Sequence, residues 1–169
     1  AKKGLATSLR AFAEFAREFP HATFTIAGEG PQLPELLALA ASLGITERVK
    51  FPGFLPQEIL RALYAESHLF LHPSELGPDG DQEGVPNSML EAMASGLPVV
   101  ATASDGARHL SNLIGTTLVT CDDATALAAA LRELMAQRPP RRAYPLQGYG
   151  IEAKTAEIEA WYRQGLARK

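Results

Sequence analysis

The segments "HATFTIAG", "RVKF", "HLFLH" and "LPVVAT" each read as a short strand, and helix-forming stretches of about ten residues separate them. This alternation restricts the fold more than any other feature of the chain. Strands joined through intervening helices are brought back parallel to one another, and a parallel sheet needs helices over both faces. The expected class is therefore α/β, a doubly wound parallel sheet with helices on both faces. In such sheets ligands bind beyond the carboxyl ends of the strands. The loops "GEGP", "PGFLP", "PSELGPDGDQEGVP" and "ASDGAR" all follow strands in this way, so a binding site is expected there.

The helices are set by apolar periodicity. Leu5, Leu9, Phe12, Phe15, Ala16 and Phe19 recur at helical spacing, which predicts a helix from about Gly4 to Phe19, ended by Pro20. Pro34 to Leu43 predicts a second, closed by Gly44. Gln57 to Glu66 carries Ile59, Leu60, Leu63 and Tyr64 on one face, and "NSMLEAMAS" ends at Gly96. "TTLVT" reads as a fifth strand, and helices are expected over Ala124–Gln137 and Ile151–Arg168. The spacer "RPPRRAYPLQGYG" is broken by proline and glycine and is expected to cross the surface. The first helix opens with no strand before it, so the chain reads as part of a larger one.

Charge and cysteine content remove several functions. Over 169 residues the formal charge is −3, and no basic cluster offers a footing for nucleic acid. Arg138 to Arg142, interrupted by Pro139 and Pro140, reads as a solvated loop. One cysteine, Cys121, excludes an internal disulfide and a cysteine-based zinc site. No apolar run approaches the roughly 20 residues of a membrane span, and Glu14 breaks the apolar face of the amino-terminal helix, unlike a signal peptide.

Familiar site patterns are incomplete. "GEGPQLPE" has G-x-G after a strand, but Leu33 stands where a dinucleotide site needs its third glycine. Asp79, Asp81 and Glu83 alternate like the start of a calcium loop, yet Leu90 holds the position of the closing glutamate. His68 and His72 could share a strand face but lack a third ligand nearby in sequence. Neither a G-x-S-x-G elbow nor a phosphate-binding P-loop is present.

That leaves "EGVPNSMLEAMASGLPVVAT", Glu83 to Thr102. Asn87 or Ser88 can cap the helix, whose first N–H groups carry partial positive charge and suit a diphosphate. Glu91 lies one turn in, and helical side chains lean toward the amino end, so its carboxylate could meet the hydroxyls of a ribose or hexose. Glu83 approaches from the preceding loop. A second reading stands equally: Glu91 complements the helix dipole, and Glu83 is a loop residue.

Glu83-Gly84-Val85-Pro86-Asn87-Ser88-Met89-Leu90-Glu91, followed by "SGLPVVAT", closely resembles the two-glutamate signature of the family 4 retaining glycosyltransferases. "KKGL" and the run from "FTIAGEGP" to "LFLHPS" carry the likeness from Lys2 to Thr102, and it fades afterwards. The resemblance implies the C-terminal, Rossmann-like lobe of a GT-B fold spanning residues 1–169, without its first strand and without the N-terminal acceptor lobe. It implies a hexosyltransferase acting with retention on a nucleoside-diphosphate sugar, UDP- or GDP-linked, with no further cofactor and no metal. Lys3 and the amides around Asn87 and Ser88, reached through Gly84 and Pro86, would contact the diphosphate. Glu91 would bind the ribose, and Glu83 the sugar hydroxyls near the reacting carbon. Gly28 and Gly30 would line the phosphate side, with Phe54 and Leu55 against the base. Lys3 and Glu83 are thus the expected catalytic pair.

The implied partners are the sugar nucleotide and an acceptor-binding lobe on the same or a separate chain; peripheral membrane contact would fall to that lobe, in the cytoplasm. The acidic "GPDGDQEGVP" resembles members that build bacterial surface polysaccharides. After the fourth strand "SDGARHLSN" keeps only Gly106 of the family's glycine-glycine-x-proline-glutamate pattern. Two other readings are a non-hydrolysing sugar-nucleotide epimerase lobe and a non-catalytic module of a split enzyme.

Overall fold

The structure, a computed structural model, describes residues 3–75, 86–114 and 117–166. Its elements run α1 (Leu5–Glu18), β1 (Phe24–Ala27), α2 (Leu33–Ser42), β2 (Val49–Gly53), α3 (Gln57–Glu66), β3 (Phe70–His72), α4 (Asn87–Ala94), β4 (Val99–Thr102), α5 (Asp105–Ile114), β5 (Thr117–Val119), α6 (Ala124–Gln137) and α7 (Ile151–Leu166). The predicted alternation holds, and every strand pairing is parallel.

The strands form two ladders rather than one sheet. β1 pairs with β2, and β3-β4-β5 make a three-stranded sheet centred on β4. In the first, Phe24 lies opposite Val49 but Ala27 opposite Gly53, so the register slips between Thr25 and Ala27. β2 holds Pro52, which cannot donate to a ladder and is tolerated at an edge or irregularity. α1 contacts both α2 and α6, and its Leu9, Phe12 and Phe15 join Leu36, Val49, Val100, Leu127 and Leu131 in the largest buried cluster.

β4 shows why helices cover both faces. Its residues are all buried, and successive side chains point to opposite sides. Val100 enters the α1–α6 cluster. Val99 and Ala101 enter a second one with Met89 and Met93 of α4, Ala107 and Leu110 of α5, and Tyr144.

Three expectations need correcting. "ASDGAR" is not simply a loop, because α5 begins at Asp105. Ser104 makes that start: its Oγ accepts from Ala107 N at 3.4 Å and its carbonyl from Arg108 N at 2.8 Å, an N-cap arrangement. His68 and His72 do not share a strand face, since His68 is exposed before β3 and His72 is buried within it. The arginine run is more than a solvated loop. Arg141 donates to the carbonyls of Tyr64, Ala65 and Ser67 at the end of α3 and of Ser95 after α4, at 2.7–2.8 Å.

The residues after Arg141 continue this brace. Arg142 N donates to Gly96 O at 3.1 Å, and the Tyr144 hydroxyl to Leu97 O at 2.8 Å. They close over the end of α4, where Gly96 N bonds Met93 O and Leu97 N bonds Ala92 O. That pair of bonds, with Gly96 at φ 77, is a Schellman ending. α7 differs: its side chains with described burial are exposed, among them Ile151, Ile158 and Trp161.

Candidate active site

Three groups of sequence-predicted residues lie at the carboxyl ends of the strands. The first is the start of α4. Its N-cap is Pro86, with φ −79, ψ 121 and no side-chain hydrogen bond, so Asn87 and Ser88 are not caps but the first two helical residues. Pro86 O accepts from Met89 N at 3.1 Å and Leu90 N at 3.2 Å. The amides of Asn87 and Ser88 therefore precede the helical bonding pattern and carry the positive end of the dipole. Both side chains are exposed, while Met89, Ala92 and Met93 anchor the opposite face.

Glu91 sits one turn in, half-buried. The Tyr64 hydroxyl on α3 donates to its Oε2 at 3.2 Å and lies 3.4 Å from Ser88 O. Tyr64 is buried against Ala92, Leu97 and Phe70, with the Phe70 ring edge-on at 6.0 Å. Burial, reinforced by the adjacent Glu91 carboxylate, pushes its phenol above the ordinary value of 10. The hydroxyl therefore keeps its proton and remains a donor at neutral pH.

The second group joins the loops after β1 and β2. Gly28, at φ 129, donates its N–H to Gly53 O at 2.8 Å. A Cβ on Gly28 or Gly30 would meet nothing within 4 Å, so both glycines border open space. Phe54 follows directly and is 73% exposed. Leu55 beside it is half-buried.

The third group surrounds Lys3. Gly4 takes a left-handed conformation and packs on the carbonyl of Pro73 just after β3, which sets exposed Lys3 beside that strand end. Thr7, buried in the first turn of α1, lies 2.8 Å from Glu75 Oε1 and 2.9 Å from Asp122 Oδ1. Asp122 holds a positive φ of 59, a left-handed conformation that aspartate adopts more readily than most residues with a side chain. Thr102 Oγ1 donates to Ser74 O, tying the ends of β3 and β4 together.

Of the residues expected at a donor site, Pro86, Asn87, Ser88 and Glu91 fall in the first group, Gly28, Gly30, Phe54 and Leu55 in the second, and Lys3 in the third. Glu83 and Gly84, with Asp79 and Asp81, lie outside the described residues. Tyr64, Thr7, Glu75, Asp122 and Arg141 were missed. Tyr64 looked like one more apolar-face residue, and the others carry no local pattern.

Among the described residues, no three His, Cys, Asp or Glu side chains gather so as to hold a metal ion. A cavity of about 300 Å³, lined by Ala13, Arg17, Leu43, Ile45 and Arg48 among others, lies at the opposite end of the molecule, where α1 and α2 finish.

Among known proteins, the amylovoran biosynthesis glycosyltransferase AmsK of Erwinia amylovora is 37% identical over 134 residues, 79% of this chain and 33% of the relative. The GDP-mannose-dependent alpha-(1-6)-phosphatidylinositol monomannoside mannosyltransferase of Mycolicibacterium smegmatis is 35% identical over 163 residues, 95% of this chain and 41% of the relative. The chain thus spans between a third and a half of the length of these two proteins. Among solved structures, Anabaena HepE in complex with UDP superposes with a TM-score of 0.67 at 28% identity, covering 80% of this chain and 36% of that one. The helices and parallel strands have the α/β arrangement of GT-B glycosyltransferases. Residues 1–137 match the model of the glycosyl transferases group 1, and the chain belongs to that family.

Proposed function

We propose that this chain is the C-terminal, donor-binding lobe of a family 4 retaining GT-B glycosyltransferase, which moves a hexose from a nucleoside-diphosphate sugar to an acceptor held by a second lobe. The observation that carries the reading is the first turn of α4, where two amides without a side-chain cap lie one turn from a half-buried carboxylate. Amides at a helix start take a diphosphate. A carboxylate there would repel the phosphates, but it accepts well from a diol beyond them.

In this reading Asn87 and Ser88 amides and the Lys3 ammonium stabilise the departing diphosphate as charge develops on it. Glu91 accepts from the ribose hydroxyls, Gly28 and Gly30 give the phosphates room, and Phe54 and Leu55 flank the base. Glu83 completes the site at the transferred sugar, on the strength of the motif it opens. One relative is named for GDP-mannose and one solved neighbour holds UDP, so the base is the open choice between them. The AmsK likeness favours polysaccharide synthesis, at the cytoplasmic face of the membrane, with the second lobe making any lipid contact. No described helix is long and apolar enough to cross a membrane. Without its acceptor lobe the chain transfers no sugar.

Isothermal titration of the folded chain with UDP, GDP and ADP tests the reading. Binding of at least one is expected, and no heat from any of them at millimolar ligand would sink it.

A further inference from the structure

We infer that Tyr64 is a positioning residue for the donor site, acting through Glu91. This rests on the assignment of Glu91 to a ligand diol and adds what aims its carboxylate. The side chain of Glu91 has several rotatable bonds, and a half-buried carboxylate one turn into a helix can swing toward solvent. The structure instead ties one oxygen, Oε2, to the Tyr64 hydroxyl at 3.2 Å. The same hydroxyl lies 3.4 Å from Ser88 O. One proton serves one acceptor at a time, and the charged, closer carboxylate is the stronger. With Oε2 so engaged, Oε1 is the oxygen presented to the diol.

Tyr64 is itself fixed. Tyr64 is 6% exposed and packs on Ala92 and Leu97, from α4 and its exit. Its main-chain carbonyl accepts from Arg141 at 2.8 Å, while the same guanidinium holds Ser95 O beyond α4 at 2.7 Å. One arginine therefore ties the end of α3 to the end of α4, and the hydroxyl of Tyr64, in the last turn of α3, reaches further up α4 to Glu91. Removing the hydroxyl leaves the helix amides, and hence the diphosphate site, in place.

The test measures affinities for UDP or GDP, whichever binds, and for inorganic pyrophosphate in the intact protein carrying this chain. Tyr64→Phe is expected to weaken the nucleoside diphosphate about tenfold, the scale of one hydrogen bond to a charged group, and to change pyrophosphate affinity less than about twofold. Glu91→Gln and Glu91→Ala should weaken the nucleotide at least as much. The double variant Tyr64→Phe/Glu91→Ala should bind like Glu91→Ala alone, because the hydroxyl acts only through the carboxylate. Equal loss for nucleotide and pyrophosphate in Tyr64→Phe, or losses that add in the double variant, would reduce Tyr64 to a structural residue. An unchanged Tyr64→Phe beside a weakened Glu91→Ala also overturns the inference while leaving the ribose assignment intact. Unchanged nucleotide affinity in both Glu91 variants overturns that assignment itself.

Discussion

Gly4 and the Pro73 carbonyl are in such close contact that a Cβ on Gly4 would lie 1.7 Å from that oxygen. The neighbouring atom is main chain at the end of β3, so it cannot swing aside. Gly4 also holds φ 56, a conformation that costs other residues roughly 1–3 kcal/mol.

Gly4→Ala is therefore expected to lower the unfolding free energy by at least about 1–3 kcal/mol from backbone strain alone, with the steric conflict adding to it. Urea unfolding followed by circular dichroism measures this. The Lys3 segment must move as well, so weaker diphosphate binding should accompany the loss. A variant as stable as the parent would show that α1 can start elsewhere.

Arg141 supplies a second case. Its guanidinium satisfies carbonyls from the ends of two helices, although the side chain is exposed and water competes for them. Arg141→Ala should cost about 1–3 kcal/mol. Arg141→Lys should recover only part of it, since an ammonium lacks the planar fork that reaches several acceptors together. Chemical denaturation of the three proteins side by side gives the comparison.

Phe54 separates binding from folding. A ring 73% exposed contributes little to the core, so Phe54→Ala should change stability by no more than about 0.5 kcal/mol. If the ring stacks on the base, nucleotide affinity falls by about 1–3 kcal/mol. Pyrophosphate affinity should hold. Calorimetric titration with both ligands reads the difference, and equal affinities for the nucleotide in parent and variant would remove Phe54 from the site.

The raised pKa of Tyr64 gives a pH dependence. The folded-state value lies above the ordinary 10 because of burial and the Glu91 carboxylate. Below pH 10 the phenol is protonated in both folded and unfolded chains, and its contribution to stability is complete. Above it the unfolded phenol ionises first, so stability falls as pH rises toward the folded value. Denaturant midpoints from pH 9 to 11 should decline in the parent and decline less in Tyr64→Phe.

How far the sequence could be read depended on the range of each interaction. α3 and α6 match their predicted bounds residue for residue, because their apolar spacing and flanking residues are local. β1 and β3 were placed but read too long at both or one end, since pairing rather than composition decides where a strand stops. α5 is hidden because "ASDGAR", carrying Asp105-Gly106, reads as a loop after the fourth strand. The signal was there in Ser104 followed by Ala107 and Leu110 at helical spacing. Tyr64 and Glu91 meet across two helices, and only packing could show that a residue counted as apolar puts its one polar atom on a carboxylate. The cap at Pro86 was missed because Asn87 and Ser88 are better capping residues by type, yet they already belong to the helix.

The brace formed by Arg141 and Tyr144 lies beyond residue 137, where the family match stops. The residues proposed for the donor all precede Leu97, yet the carbonyl ends of α4, which carries three of them, and of neighbouring α3 are secured from 46 to 77 positions later. A fragment cut at the family boundary would retain every residue proposed to contact the donor and lose the fastening that Arg141 and Tyr144 give to α3 and α4. The structural unit is longer than its recognisable signature, and chimeras or truncations should be joined after Tyr144.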